Sequence, residues 1–63
     1  MVKMTFVDNG KLLKLGWEKD TLYVTDQELQ EYRFKGVPEG EYWEILGKND
    51  PWRYIEEVIM PNY

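Results

Sequence analysis

Hydrophobic and polar residues alternate along the first half of the chain, and the period changes at a proline. Val2 to Val7 is a short β-prone run, and the Asp8-Asn9-Gly10 that follows is the strongest local signal in the sequence. Asn-Gly supplies the positive φ angles that a tight hairpin turn requires. A second strand is expected over Lys11–Trp17, with Leu13, Leu15 and Trp17 on one face and Leu12, Lys14 and Gly16 on the other. After the polar break Glu18-Lys19-Asp20, the run Thr21–Thr25 sets Leu22 and Val24 against Thr21, Tyr23 and Thr25. Asp26-Gln27-Glu28 marks the next turn. Leu29–Gly36 reads as the last strand, with Tyr32 and Phe34 opposed to Glu31, Arg33 and Lys35. Four short strands joined by short polar turns predict an antiparallel meander.

Pro38 opens the helical part. Proline is tolerated in a first helical turn, where its missing N–H would have had no partner. Glu39, Glu41 and Glu44 suit the positive end of the helix dipole. Tyr42, Ile45 and Leu46 share one side, Gly40 weakens the helix, and Gly47 is expected to end it. Asp50-Pro51 is a second cap-plus-proline start. From there Trp52, Ile55, Val58 and Ile59 recur at helical spacing as far as Pro61. The expected structure is one α+β domain over residues 1–63: a three- to four-stranded antiparallel β-meander followed by two short α-helices packed on one sheet face.

Size and composition sharpen this picture. A chain of 63 residues buries only about 60% of its unfolded surface. It has no cysteine and no histidine, so neither a disulfide nor a zinc clip can supplement the core. Alanine is absent too, so the core is built from large pieces, among which three tryptophans and five tyrosines stand out. That is more ring surface than so small a core hides easily, and it favours self-association or a protein partner. The net charge of −4 is unevenly placed. Residues 1–37 balance six basic against six acidic side chains, whereas residues 38–63 set Lys48 and Arg53 against Glu39, Glu41, Glu44, Asp50, Glu56 and Glu57. The molecule as a whole therefore does not attract nucleic acid at long range. No apolar run approaches the ~18 residues of a membrane span, and the first residues lack a basic-then-apolar leader. A cytoplasmic protein with no membrane association is expected.

The chemistry available is narrow. Without Ser, Cys or His the usual nucleophiles and the usual base are missing, so no enzymatic activity and no cofactor are expected. The carboxylates read as a solvated acidic surface. Asp8-Asn9 and Asp20 read as turn residues rather than metal ligands, so no metal is expected. The isolated glycines at positions 10, 16, 36, 40 and 47 form no phosphate cradle.

Two surfaces remain. Alternation places Lys14, Tyr23, Arg33 and Lys35, with Thr25, on the sheet face opposite the helices. A ring flanked by cations suits stacking on a base and holding its phosphate. The second surface is apolar: Trp43 follows Tyr42 and so points outward, and Trp52 is expected half-exposed at the start of the next helix. Tyr54 and Tyr63 would join them, since exposed tryptophans anchor protein interfaces.

The same residues resemble the small KTSC domain, found at the C-terminus of some lysyl-tRNA synthetases and as stand-alone bacterial and phage proteins. The matching features are Gly16-Trp17, Leu22-Tyr23-Val24, the central Tyr32-Arg33-Phe34 pair, Gly36-Val37-Pro38, Tyr42 and Leu46, and finally Tyr54, Ile59 and Tyr63. From Leu22 to Tyr63 the pattern runs without a gap. The chain departs from it at Asp50-Pro51-Trp52, where Ser-x-Gly is usual, and at Asp26 and Leu29, where Phe and Gly are usual. The resemblance implies the α+β fold and suggests RNA binding.

The leading expectation is a small non-enzymatic binding module acting through a homo-oligomeric or protein-partner interface at Trp43, Trp52, Tyr54 and Tyr63. The alternative is RNA or nucleotide binding on the Lys14, Tyr23, Arg33 and Lys35 face. A third is a phage-type small protein that sequesters a host factor or signalling nucleotide.

Overall fold

A computed structural model describes residues 2–63. Its elements in chain order are β1 (Met4–Asn9), β2 (Leu12–Glu18), β3 (Thr21–Asp26), β4 (Glu31–Lys35) and the helix α1 (Glu39–Leu46). They are followed by α2 (Pro51–Tyr54), a π-helical stretch (Ile55–Ile59) and α3 (Met60–Asn62), which run on from one another without a break. The four strands form one antiparallel sheet in the order β1-β2-β3-β4. The meander and the trailing helices are thus as the alternation predicts.

The turns differ from expectation in instructive ways. The first hairpin turns on Gly10 and Lys11, between the paired Asn9 and Leu12, and Gly10 provides the positive φ of 60°. Asn9 ends the strand instead, and its side-chain amide donates to the Asn49 carbonyl at 3.1 Å. Just before the turn, Asp8 adopts φ 48° where the β1–β2 register shifts. A second shift lies between the pairs Leu12–Asp26 and Lys14–Thr25. Leu13 is therefore an extra residue, a β-bulge that changes which side chains face inward. Strict alternation puts Leu13 on the core face with Leu12 outside; in the structure Leu12 is fully buried and Leu13 only partly.

The core lies between the sheet and the helices. Leu12, Leu15, Leu22 and Val24 come from the strands, Val37 from the junction, and Ile45, Trp52, Ile55 and Ile59 from the helices. Hydrogen bonds clip the helical part to the sheet at several points. The Trp17 indole N–H donates to the Val37 carbonyl at 2.7 Å. The hydroxyls of Thr5 and Tyr42 share a bond of 2.8 Å.

Pro38 sits one position earlier than the sequence suggests, as the N-cap of α1 with ψ 151°. Asp50 caps α2 as expected, accepting from the Arg53 N–H. Pro61 does not stop the final helix, which continues to Asn62. It has no N–H for the Glu57 carbonyl, and the preceding turn is wound wider, with the Met60 N–H reaching back to Ile55. Such π-helical insertions relieve interruptions in the regular ladder.

The β2–β3 turn carries avoidable strain. Lys19 and Asp20, flanked by the paired Glu18 and Thr21, adopt φ 49° and 63°. Two successive positive φ values define the hairpin turn that Asn-Gly satisfies best. A lysine there costs about 1–2 kcal/mol through its Cβ, whereas Gly, and to a lesser degree Asn and Asp, adopt this conformation more readily. The double variant Lys19→Asn/Asp20→Gly should therefore raise the unfolding free energy by about 1–2 kcal/mol in a urea titration. The Asp20 carbonyl that accepts from the Val37 N–H is backbone and is retained. An unchanged or lowered midpoint would contradict this reading of the turn.

Candidate functional site: the open face of the sheet

The bulge and the register place the outward side chains in cross-strand rows. Pairing aligns Met4, Gly16, Tyr23 and Arg33 in one row and Phe6, Lys14, Thr25 and Glu31 in the next. Thr21 and Lys35 pair in a third. Lys14, Tyr23, Arg33 and Lys35 thus share the face away from the helices, as their alternation predicts. Lys14, Tyr23 and Arg33 line a single cavity of about 300 Å³ with Met4, Leu29 and Glu31. Lys35 stands outside it. The volume is at the lower end of small-ligand sites.

Three residues of this face escape sequence reasoning. Phe6, 65% exposed, pairs across from Lys14, and its position follows once the hairpin register is known. Met4 reaches over the sheet because Gly16 has no side chain: a Cβ there would lie 2.5 Å from the Met4 sulfur and 2.9 Å from Val2. Leu29 is 69% exposed and held at φ 66°, a left-handed conformation that glycine adopts freely and leucine does not. It is not part of a strand, and nothing in a leucine encodes that backbone.

What holds Leu29 there is a buried carboxylate one turn earlier. Asp26 is almost fully buried at the end of β3. Its Oδ1 accepts from the Glu28 and Gln30 N–H groups, both at 2.9 Å, and its Oδ2 accepts from the Tyr32 hydroxyl at 3.1 Å. Burial pushes the Asp26 pKa up, but the Gln30 N–H, the Tyr32 hydroxyl, the Glu28 N–H and the Lys11 charge together outweigh it and hold the group below 3.8. The Leu29 N–H in turn donates to the Asp26 carbonyl. The Tyr32 ring meets the Trp52 indole edge-on at 6.0 Å, and Lys11 lies 5.3 Å above that indole. The loop bordering the cavity is thereby tied to α2.

The aromatic surface expected on the helices is only partly present. Trp52 is a core residue, 7% exposed. The sequence places it at the start of a helix, where half-exposure is expected, but its indole fills the space between Tyr32 and Lys11. Tyr54 is half-buried, donates to Glu41 at 2.6 Å and lies beneath the Lys48 ammonium. Trp43, 60% exposed, and Tyr63, 42% exposed, do stand at the surface.

Among the described residues no group of three or more His, Cys, Asp or Glu side chains gathers as a metal site. No helix among them is long and apolar enough to cross a membrane.

No family model matches the sequence, and no curated protein is significantly similar to it. Among solved structures, a KTSC domain protein from Yersinia pestis superposes with a TM-score of 0.87, covering 98% of this chain and 90% of its own. The two sequences are 22% identical. The chain therefore has the fold of a KTSC domain protein, in agreement with the motif resemblance; identity at this level carries the fold alone.

The Tyr54–Glu41 contact that joins the two helices has a measurable signature. The hydrogen bond to Glu41 first, then burial, pushes the Tyr54 phenol up to about 12 from 10.0. Because its folded pKa is raised, the stabilisation from this contact is complete below pH 10 and is lost as pH rises through about 12. Phenolate absorbance should show Tyr54 ionising late, and Glu41→Gln should move that step back towards 10. An unchanged alkaline titration in Glu41→Gln would show that the bond does not set the pKa.

Proposed function

We propose that this chain is a small non-catalytic binding module of the cytoplasm that takes an RNA base or a free nucleotide on the open face of its sheet. The observation that carries the reading is the convergence of Lys14, Tyr23 and Arg33 on one cavity of about 300 Å³. Tyr23 offers a π-face between two cations, directly paired with Arg33 and one row from Lys14. Stacking of one base on one aromatic side chain contributes about 1–3 kcal/mol. The flanking cations supply phosphate contacts, and the exposed Phe6 offers a further ring on the same face.

Glu31 on the same wall offsets part of the positive charge. Binding is therefore expected to be weak in salt dependence and to favour short single strands over duplex. A duplex presents a dense phosphate surface with its bases hidden, which this small, nearly neutral face matches poorly. The acidic helical side does not enter the contact.

A homo-oligomeric or protein-partner interface is the competing reading, supported by the exposure of Trp43 and Tyr63. It draws less support than the composition suggests, because the ring of Trp52 is spent in the core and that of Tyr54 half-spent between the helices.

Titration of a short uridine oligonucleotide against wild type, Arg33→Glu and Tyr23→Ala separates these readings. Arg33→Glu should weaken binding about tenfold or more and lower the salt slope by roughly 0.7. Tyr23→Ala should weaken it without changing the slope. Wild-type affinity left unchanged by both substitutions, or no binding by wild type to the oligonucleotide or to a free nucleotide, would refute the proposal.

A further inference from the structure

A second cavity, on the opposite side of the sheet, lies between β1 and α1. It measures about 320 Å³, and Trp17, Tyr42, Trp43, Glu39, Lys3 and Thr5 line it. Three aromatic side chains and a carboxylate around one small cavity have no role in the sheet-face reading. Trp17 and Tyr42 pack against the edge of the core, but Trp43 takes no part in it and is 60% exposed.

The polar tips of all three rings are already engaged within the protein. The Trp17 indole N–H donates to the Val37 carbonyl at 2.7 Å, and the Tyr42 hydroxyl is bonded to Thr5 at 2.8 Å. The Trp43 indole N–H donates to Glu39 Oε2 at 3.2 Å. What the rings have left to offer a ligand is their π surface. Tyr42 and Trp43 stand 5.0 Å apart with their planes at 74°, so they form two adjoining walls rather than a stack. Aromatic faces carry negative electrostatic potential and attract cations, most effectively when the cation is poorly hydrated. Glu39 fixes the Trp43 ring through that N–H bond and adds a full negative charge at the same wall.

We propose that this cavity is a site for a small organic cation of the methylated-ammonium class. A methylated ammonium has low hydration and a greasy shell, and it fits walls that offer ring faces and few free hydrogen-bond donors. A phosphate is disfavoured here by Glu39 and by the acidic surplus of residues 38–63. Among the described residues that line the cavity the opposing group is Lys3, whose ammonium shares the rim and repels a cationic ligand. Glu39 and Lys3 therefore act with opposite sign, and an anion would reverse both effects. The site is separate from the sheet face, so the two readings stand or fall independently.

The test uses choline and dimethylbutanol, its neutral isostere with carbon in place of nitrogen, added to the full chain at constant ionic strength. Binding is read from the three tryptophan indole N–H resonances. Choline should shift the Trp43 and Trp17 signals and leave that of Trp52, whose ring is in the core, unmoved. Dimethylbutanol should bind at least about fivefold more weakly. Glu39→Gln should weaken choline binding, Lys3→Met should tighten it, and Trp43→Ala should abolish it. Trp43 is largely exposed, so its removal leaves the core intact, and circular dichroism verifies that the variant is folded. Equal affinity for the two compounds, no shift at Trp43, indifference to Glu39→Gln, or weaker binding by Lys3→Met would each overturn the proposal.

Discussion

A sheet of four strands has two faces, and 63 residues supply helical cover for one of them. The buried apolar stock of the helices is small: Ile45, Ile55, Ile59 and the indole of Trp52, with Tyr42, Leu46 and Tyr54 packed at its edge. They are spent together on the side where Leu15, Leu22 and Val24 point inward. Each fully buried large aliphatic side chain contributes about 1.5–3 kcal/mol, and the chain has no cysteine with which a disulfide could replace any of them. Helical cover on one side alone follows, and on the opposite face Phe6, Lys14, Arg33 and Lys35 stay at the surface, while the smaller Gly16 and Thr25 are buried beneath their neighbours. The open face is thus a consequence of size, and its use depends on which side chains happen to stand there.

Period-two alternation after Gly10 and the change at Pro38 were enough to recover the meander, the following helices and the sharing of one face by Lys14, Tyr23, Arg33 and Lys35. Side chains two apart in a strand must point the same way, so these assignments need no knowledge of packing. Leu12 and Leu13 exchanged roles because a bulge adds one residue without leaving a mark in composition. The sequence puts Trp52 too near the surface for a different reason. A helix start is exposed when nothing lies beside it, but here Tyr32 and Lys11 close over the indole from the sheet. That contact joins residues far apart in sequence and has no local signal. Leu29 belongs to the same class, since its left-handed backbone is dictated by the Asp26 turn rather than by leucine itself.

The distribution of charge follows the same division. Residues 38–63 hold the whole negative excess, and they form the helical side. Lys14, Arg33 and Lys35 stand on the sheet side with Tyr23 among them. A nearly neutral molecule with both signs mixed would present similar surfaces all round. Here the cations of the sheet side and the negative excess of the helical side are kept apart. The buried Asp26 takes no part in this, because its oxygens are occupied by backbone N–H groups and the Tyr32 hydroxyl; its task is to shape the loop that borders the cavity.

Whether the bare side of the sheet is the working surface is tested most directly by amide and side-chain chemical-shift mapping with a short single-stranded oligonucleotide. The expected result is a contiguous set of shifts at Lys14, Tyr23, Thr25, Arg33 and the Phe6 ring, with the buried Trp52 indole and α1 unmoved. Shifts confined to α1 and the C-terminal helix, or no shifts at saturating oligonucleotide, would contradict it.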